Sequence, residues 1–246
     1  MIVVGAYFFI QGFICLRRFC FNINFCLSLF FQITFYMSCI FLLFMLVINK
    51  DELFSSKRKF FKKMKESVFI YPTDSIYGIG CDATNPVLVD KVRKLKKSNL
   101  QPFSVIAPSK QWVEDNCVVP ADQKEYFDAL GSSLLINDKP HCFTLILKLK
   151  NKDAVAHNVT QGIDTIGVRI PSTWFSEVVS DLGVPIISTS ANPTGENFMT
   201  SLDDLDSSIK KGVELIVYEG EKKGVPSTIV DLTSSKIGIL ERKSKK

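Results

Sequence analysis

Histidine and regularly spaced cysteine, from which many metal centres are built, are scarce in this sequence. Its 246 residues include two histidines and seven cysteines, and no two cysteines form a CxxC pair. An odd number of cysteines without paired spacing argues against a disulfide framework or a zinc site and fits a reducing compartment. His141 and His157 both lie outside the polar loops described below. The sequence therefore favours neither a catalytic histidine nor a metal site.

Charge is missing from the first part of the chain. Residues 1–49 are almost uncharged, and the run 26–48 is mostly apolar and long enough to span a bilayer as a helix. In the segment 57–65, by contrast, most residues are basic. One interpretation is a membrane hairpin or single anchor with this basic segment on the cytoplasmic side. No small-residue cleavage site follows the apolar run, which argues against a cleaved signal.

A second interpretation is that the apolar residues are not part of the working protein. Met64 comes directly before the sequence KESVFIYPTD, where a soluble domain would begin its first strand. Both interpretations stay open on the sequence alone. We divide the chain into a hydrophobic extension at 1–49, a basic linker at 50–63 and a domain at 64–246. We expect the domain in the cytoplasm, held at a membrane only if the extension is translated.

Apolar runs of strand length alternate with helix-like patterns over the rest of the chain. Asn85 and Pro86, for example, suit the cap and the first turn of a helix. The alternation favours an α/β sheet with helices packed on it. The predicted strands are 68–71, 103–107, 142–149, 164–171, 184–188, 215–218 and 229–232. The predicted helices are 84–100, 110–117, 122–136, 173–182 and 202–211.

Three of the predicted strands are flanked by loops rich in Ser, Thr, Asn and Gly, at 72–80, 188–195 and 224–228. Glycine lets the backbone turn or approach a ligand closely, and hydroxyl and amide groups donate hydrogen bonds to anions. Almost no acidic residue accompanies them, and the loops contain no Cys/His or Ser/His/Asp set. The pattern indicates an anion-binding site rather than a hydrolase with a covalent nucleophile. The alternative is a set of tight turns capped by side chains.

Basic residues at two places are candidates to bind such an anion. Arg169 lies in a predominantly apolar strand, and a buried Arg needs an anionic partner. That partner is either an Asp or Glu in a structural salt bridge or the carboxylate of a substrate. Five basic residues lie between Lys91 and Lys97; they either complement a helix dipole or neutralise phosphates at the lip of a pocket. The net charge of +5 is compatible with anionic substrates or RNA but is not diagnostic.

The chain resembles the YrdC-like threonylcarbamoyl-AMP synthase family over about Met64 to Arg242. The resemblance is carried by the order and separation of YPTDSIYGIGCDATN, KLKKSNLQPFSVIA, TIGVRIP, ISTSANPTG and GVPSTIVDLT. It implies a twisted, open mixed α/β sheet with a large, basic, concave cavity. It also implies synthesis of threonylcarbamoyl-AMP from L-threonine, bicarbonate and ATP, with release of pyrophosphate, for threonylcarbamoyladenosine modification of tRNA. Mg²⁺ would accompany the ATP, and a separate transferase complex would act downstream.

The same resemblance implies roles for individual residues. Arg169 would grip the threonine carboxylate, and Lys96 would face the phosphates of ATP. The expected catalytic residues are Lys96, Arg169, Ser190 and Asn192. The expected threonine contacts are Thr73, Ser75, Tyr77, Arg169, Ser188 and Ser227. The expected ATP contacts are Lys96, Thr165, Ser190, Asn192, Thr200 and Arg242.

Three places depart from the family's pattern. One is Gln101, the residue before the following proline, where many members have Lys or Asn. Ser98 stands where the Lys-x-Arg signature of the family has its Arg, and Pro-His-Cys at 140–142 replaces Pro-Gly-Pro. Losing one guanidinium beside the phosphates would cost about 1.5–3 kcal/mol of charge-assisted binding. Candidates to replace it are Arg93, Lys94 and Lys97. The alternative function is therefore a nucleotide- or double-stranded-RNA-binding module of the same fold with weakened catalysis.

Overall fold

The computed structural model describes residues 45–98 and 101–242. Most of the predicted membrane span at 26–48 therefore lies outside the described residues. The last residues of that run form β1 (Leu46–Ile48), an edge strand of the sheet, and the compact unit to which they belong begins at Met45. Within the described ranges, no helix combines the length and the apolar character needed to cross a membrane.

Two helices follow β1 in the segment for which the sequence predicts a basic linker. They are α1 (Lys50–Ser55) and α2 (Lys57–Glu66). Leu53 of α1 is fully buried and Phe60 of α2 is nearly so. The segment 50–63 therefore differs from the predicted linker, because its apolar side chains pack into a core while its basic side chains remain at the surface.

The other elements are strands interspersed with helices along the chain, with short 3-10 helices at Ala121–Gln123 and Lys152–Ala154. The strands are β2 (Phe69–Pro72), β3 (Tyr77–Gly80), β4 (Ser104–Ile106), β5 (Cys117–Val118), β6 (Leu134–Ile136), β7 (Lys139–His141), β8 (Phe143–Leu149), β9 (Thr165–Arg169), β10 (Ile186–Ser190), β11 (Leu215–Val217), β12 (Thr228–Asp231) and β13 (Gly238–Leu240). The helices are α3 (Pro86–Leu95), α4 (Lys110–Asn116), α5 (Lys124–Asp128), α6 (His157–Thr160), α7 (Phe175–Leu182) and α8 (Ser207–Gly212).

One large sheet with both parallel and antiparallel pairs organises these elements. Its strand order is β1-β11-β2-β3-β10-β4-β9-β8-β12-β13, and β5 pairs with β8. The pairs β2–β11, β4–β9 and β8–β12 are parallel, whereas β2–β3, β3–β10, β4–β10 and β8–β9 are antiparallel. The predicted fold class, an open mixed α/β sheet, is thereby confirmed.

The two faces of the sheet are covered differently. On one face, alternate strand residues such as Val105 and Leu145 form the larger core, together with α3 and α6. The intervening residues point to the other face. Near β1 and β2 this second face is covered by α1, α2 and α7, whose core includes Leu53 and Tyr71. Toward β8, β9 and β12 the same face lines a cavity.

The helix predicted at 122–136 is wrong in its second half. α5 ends at Asp128, and β6 begins six residues later as the first strand of a hairpin with β7. The turn of this hairpin consists of Asn137 and Asp138, both in the left-handed region with φ of 50° and 60°. A two-residue hairpin turn requires positive φ, which Asn and Asp tolerate better than most residues. The Asn-Asp pair was therefore the signal for a hairpin.

The helix predicted at 84–100 begins where expected but ends earlier. The side chain of Asn85 accepts hydrogen bonds from the amides of Val87 and Leu88, at 3.1 and 3.3 Å. The helix closes at Leu95, and Lys97 adopts a left-handed φ of 50°. This turn brings the intervening lysine back toward the sheet.

Candidate active site

A cavity of about 560 Å³ opens on the second face of the sheet. The three polar loops predicted from the sequence meet there. All of the predicted site residues except Thr200 line the cavity. They are Thr73, Ser75, Tyr77, Lys96, Thr165, Arg169, Ser188, Ser190, Asn192, Ser227 and Arg242.

The charged residues among the described lining are all cations. Lys96, Arg169 and Arg242 line the cavity, and no Asp or Glu among the described residues does. The other polar groups are mainly hydroxyls and amides, which donate readily to oxygen anions. The lining can therefore offset negative charge on a ligand.

Hydrogen bonds of side-chain hydroxyl groups fix the conformation of the loop after β2. The Thr73 hydroxyl donates to the carbonyl of Ile76 at 2.8 Å and accepts from the amide of Ser75 at 3.1 Å. Its oxygen also lies 3.0 Å from the Ser75 hydroxyl, and both residues are 3% exposed. These bonds form a local turn of the kind that Ser and Thr favour, and they fix both side chains at the cavity wall.

Two glycines of β3 allow a tyrosine to pack against the strand. A Cβ atom at Gly78 would lie 2.7 Å from the Tyr71 ring, and one at Gly80 would lie 2.3 Å from the carbonyl oxygen of Ile187. The Tyr71 hydroxyl donates to that same carbonyl at 2.8 Å. Both glycines therefore serve close packing within the sheet, and Gly78 also lines the cavity.

The buried Arg169 forms a salt bridge within the protein and also lines the cavity. It forms a salt bridge with Asp74, whose other oxygen accepts from the amide of Ser172 at 3.0 Å. Arg169 is 6% exposed, and its Nε is buried without a hydrogen-bond partner in the described structure. One branch of the guanidinium is therefore held by the protein, and donors remain for a ligand.

Lys96 is held at the cavity wall by groups of β10 and the loop that follows. Its Nζ donates to the carbonyl of Ser190 at 2.7 Å, to the Ser190 hydroxyl at 3.3 Å and to Oδ1 of Asn192 at 3.1 Å. Its carbonyl accepts from the amide of Thr194 at 2.8 Å. Lys96 is 5% exposed, and this burial lowers its pKa to about 8. The ammonium group has no carboxylate partner in the described structure and suits a phosphate.

Asn192 positions the ammonium group rather than pointing freely into the cavity. Its Nδ2 donates to the carbonyls of Pro193 and Glu196, at 3.0 and 2.7 Å. Its Oδ1 is thereby turned toward Lys96. A side chain that is bonded at both ends in this way gives the ammonium group a fixed location.

The Tyr77 hydroxyl is directed away from a ligand in the cavity. It donates to the carbonyl of Gly220 at 2.7 Å and accepts from the amide of Glu219 at 3.0 Å. Burial raises the pKa of Tyr77 to about 12, so the hydroxyl stays protonated. The ring stacks on Tyr218 with centroids 5.5 Å apart. Tyr77 thus lines the wall through its other atoms and ties the loop after β11 to the sheet.

Arg242 approaches the cavity from the chain end after β13. Its Nε and Nη2 donate to the carbonyl and the hydroxyl of Ser227, both at 2.8 Å. Burial and, after it, the positive charge of Arg169 lower the pKa of the Arg242 guanidinium. The two guanidinium groups therefore repel each other, and an anion bound between them would reduce this repulsion.

Some candidates do not reach the cavity. The Thr200 hydroxyl and amide both donate to the carboxylate of Asp204, and Thr200 is not among the lining residues. Arg93 is buried and donates to the carbonyls of Ser98, Gln101 and Asn158. Arg93 therefore does not replace the signature Arg.

The two other candidates for that role point outward. Lys94 and Lys97 are exposed and lie outside the lining. Among the basic residues at the end of α3, Lys96 is the one that lines the cavity in the described structure. The missing guanidinium thus has no substitute from this helix.

Several lining residues were not predicted from the sequence. The structure adds Ser104, Thr144 and Gly167 on strands and Gln101 in a loop. A Cβ atom at Gly167 would lie 2.2 Å from the Ser104 hydroxyl, so the two strands need a glycine there. The signal for the strand residues was their alternation with core residues, which shows a shared face but not which face holds the cavity.

The comparisons with known proteins agree with this fold. A family model described as "Telomere recombination", covering Sua5, YciO and YrdC, matches residues 63–243. The chain belongs to the Sua5/YciO/YrdC family. A protein of Methanocaldococcus jannaschii, provisionally named threonylcarbamoyl-AMP synthase, is 31% identical over 202 residues, which cover 78% of this chain and 89% of that protein. YciO of Escherichia coli K12, whose name assigns no activity, is 26% identical over 172 residues, which cover 69% of this chain and 79% of YciO.

Solved structures with lower identity show the same fold. P. abyssi Sua5 in complex with L-threonine matches with a TM-score of 0.65 at 22% identity, over 79% of this chain and 56% of that one. The E. coli YciO structure matches with a TM-score of 0.63 at 22% identity, over 79% of this chain and 93% of that one. The chain thus spans a little over half of the Sua5 structure and nearly all of YciO.

Proposed function

We propose that this protein is a threonylcarbamoyl-AMP synthase, which joins L-threonine, bicarbonate and ATP into threonylcarbamoyl-AMP and releases pyrophosphate. The observation that carries the proposal is that Lys96, Arg169 and Arg242 line one cavity together with the hydroxyls of three loops. The name of the M. jannaschii relative and the L-threonine bound to Sua5 support the choice of reaction and amino acid.

This chemistry depends on positioning and charge rather than on a covalent nucleophile. The amino group of threonine reacts with bicarbonate to give a carbamate and water. An oxygen of the carbamate then attacks the α-phosphorus of ATP, and the bond from that phosphorus to pyrophosphate breaks. A carboxylate, a carbamate and a triphosphate must therefore approach one another, which the lining cations make possible.

Within this reaction the cations have separate tasks. Arg169 binds the threonine carboxylate with the donors that Asp74 leaves open, while Thr73, Ser75, Ser188 and Ser227 line the amino-acid side. Lys96, held by Ser190 and Asn192, offsets charge on the phosphates. Thr165 and Arg242 complete the nucleotide side.

ATP enters as its Mg²⁺ complex in this proposal. The described residues contain no group of three His, Cys, Asp or Glu side chains that could hold a metal ion. Mg²⁺ commonly keeps several waters and binds through substrate phosphates. The metal is therefore treated as part of the nucleotide substrate.

Pyrophosphate release tests the proposal. We expect release from MgATP only when both L-threonine and bicarbonate are present, with threonylcarbamoyl-AMP detected by mass spectrometry. Lys96→Met should abolish it, whereas Lys110→Met, which changes an exposed lysine outside the lining, should not. Release that does not need threonine, or no release from a folded protein that binds ATP, would contradict the proposal.

A second candidate is a nucleotide- or double-stranded-RNA-binding module with weakened catalysis. It is favoured by Ser98, which lines the cavity where the signature Arg is expected, and by the absence of a substitute from the end of α3. Binding of ATP or RNA without pyrophosphate release would select this function. If the protein is such a binding module, Ser98→Arg should tighten ATP binding by about tenfold or more, because the new guanidinium restores a charge-assisted contact.

The partners follow from the proposed reaction. The product carries an activated threonylcarbamoyl group, so a downstream transferase complex that modifies tRNA would consume it. We place the protein in the cytoplasm, with membrane attachment only if the apolar residues before Met45 are present in the natural chain.

A further inference from the structure

A chain of three hydrogen-bonded side chains crosses the cavity wall beside the proposed amino-acid subsite. Arg242 donates to the Ser227 hydroxyl at 2.8 Å, and the Ser227 oxygen lies 2.9 Å from the Thr144 hydroxyl oxygen. Ser227 is 2% exposed and Thr144 is 3% exposed. Both residues nevertheless line the cavity. This series of hydrogen bonds therefore ends at Thr144, in a part of the cavity wall that a ligand can contact.

The donor at one end sets the direction of this chain. A guanidinium can only donate, so the Ser227 oxygen accepts from Arg242. A hydroxyl that accepts a charge-assisted bond becomes a stronger donor, because hydrogen bonds in a chain polarise one another. We infer that Ser227 donates to Thr144. The hydroxyl hydrogen of Thr144 is then not used in this series, and in the described structure the Thr144 hydroxyl has no other hydrogen-bond partner.

The strand register places this free donor beside Arg169. In the antiparallel pair of β8 and β9, Leu145 pairs with Val168 and Ile146 with Gly167. Thr144 is the next position in that register and lies opposite Arg169 on the same face of the sheet. Both side chains line the cavity, and Nε of Arg169 is buried without a hydrogen-bond partner among the described residues. Two residues that each keep an unused donor are thus neighbours across the two strands.

We propose that Thr144 is a substrate-binding residue that donates its hydroxyl hydrogen to an oxygen of the amino acid whose carboxylate Arg169 binds. Ser227 and Arg242 are positioning residues for this contact, in addition to any contact of their own. The inference rests on the proposed function for the identity of the amino acid. It gives Arg242 an effect on amino-acid affinity although its expected contact is with the nucleotide.

The direct test is titration calorimetry of L-threonine in the absence of ATP. Thr144→Val removes the hydroxyl at nearly constant volume and should weaken threonine binding about tenfold, the usual effect of one lost hydrogen bond. Thr144→Ser keeps the donor and should bind within about threefold of the parent protein. The dissociation constant of ATP, measured separately, should change less than about twofold in both variants. Thr160→Val, a buried threonine outside the lining, serves as the matched control.

A double-mutant cycle tests the direction of the chain. If Thr144 supplies the donor, Ser227→Ala should weaken threonine binding less than Thr144→Val does. In an Arg242→Met background the cost of Thr144→Val should shrink severalfold, because nothing then directs the Ser227 hydrogen toward Thr144. Thermal unfolding of each variant checks that these proteins remain folded, and Thr144→Ala supplies a second variant without the hydroxyl.

Two results would overturn the inference. Unchanged threonine affinity in Thr144→Val and Thr144→Ala, with a loss in Ser227→Ala, would assign the free donor to Ser227. Equal losses in Thr144→Val and Thr160→Val would make the effect structural. A parent protein that binds no L-threonine would instead refute the proposed function, and this inference with it.

Discussion

At the scale of single residues, the burial of Lys96 would make nucleotide binding sensitive to pH under the proposed function. Burial lowers its pKa from the ordinary value near 10.5 to about 8. Below this pKa the group carries the charge that a phosphate needs, and above it the free protein loses that charge. Between about pH 8 and the unfolded-state pKa, the unfolded chain binds more protons, so the contribution of Lys96 to stability rises with pH.

We therefore expect the affinity for ATP to fall about tenfold as pH rises from about 7 to about 9, because the neutral amine must be protonated before it pairs with phosphate. Lys96→Met should bind ATP weakly at both pH values and show no such slope. Lys110→Met should keep the slope of the parent protein. Fluorescence or calorimetric titration measures this, and a flat profile for the parent protein would show that Lys96 does not face the phosphates.

Most of the predicted residues that line the cavity lie in loops or at the ends of strands, and their functional roles there stay predictions. Thr73, Ser190 and Asn192 lie at strand ends, and a strand end brings its loop to the edge of a sheet whatever the register. Thr144 was missed because it lies inside a strand, where the register with β9 decides which wall its side chain joins. Thr200 was predicted as an ATP contact from the resemblance alone. In the structure its hydroxyl donates to the carboxylate of Asp204, and the residue does not line the cavity.

At the scale of secondary-structure elements, β3 and β10 hold the cavity in place through backbone contact. Gly80 lies so close to β10 that a Cβ atom would meet the Ile187 carbonyl at 2.3 Å. Because this neighbour is backbone, the strands would have to separate. Ser188 and Ser190 on β10 would then move away from the loop after β2.

Gly80→Ala should lower the free energy of unfolding by about 2–3 kcal/mol, the usual cost of overpacking. The matched control is Gly238→Ala on β13, where a Cβ atom would lie 3.3 Å from Cβ of Asp231 and little must move. Urea denaturation followed by circular dichroism measures both. Equal stability of the two variants would show that the strands yield without cost.

Elements were predictable where a local signal was strong. Asn85 and Pro86 begin α3 as expected, and the alternating strands appear close to their predicted bounds. The hairpin of β6 and β7 was missed because the apolar residues near 134–136 fit a helix as well as a strand. The helical α2 was missed because basic composition suggested a linker, although Phe60 and Met64 are spaced four residues apart as on one helix face.

At the scale of the whole molecule, the segment before Met64 closes one part of the sheet while the cavity occupies another. Ile48, Leu53 and Phe60 are at most 5% exposed and belong to the core that also contains Tyr71 and Phe175. Burying three such side chains contributes roughly 5–9 kcal/mol. That amount is comparable to the whole stability of a typical domain.

A chain consisting of residues 64–246 should therefore be unfolded or aggregated under conditions in which residues 45–246 unfold cooperatively. The expected signature is loss of the thermal transition in circular dichroism and binding of a hydrophobic dye. Equal melting temperatures for the two chains would show that β1, α1 and α2 are dispensable. The same comparison bears on the interpretation in which the working protein starts at Met64.

The central claim is that one cavity holds an amino acid and a nucleotide close enough to react. The most direct test is a crystal structure of the protein with L-threonine and an ATP analogue that cannot be cleaved between its α- and β-phosphates. The account predicts both ligands in the cavity, with the threonine carboxylate on Arg169 and a phosphate on Lys96. It is contradicted if either ligand binds elsewhere, or if Arg169 bonds only to Asp74 while threonine occupies another site.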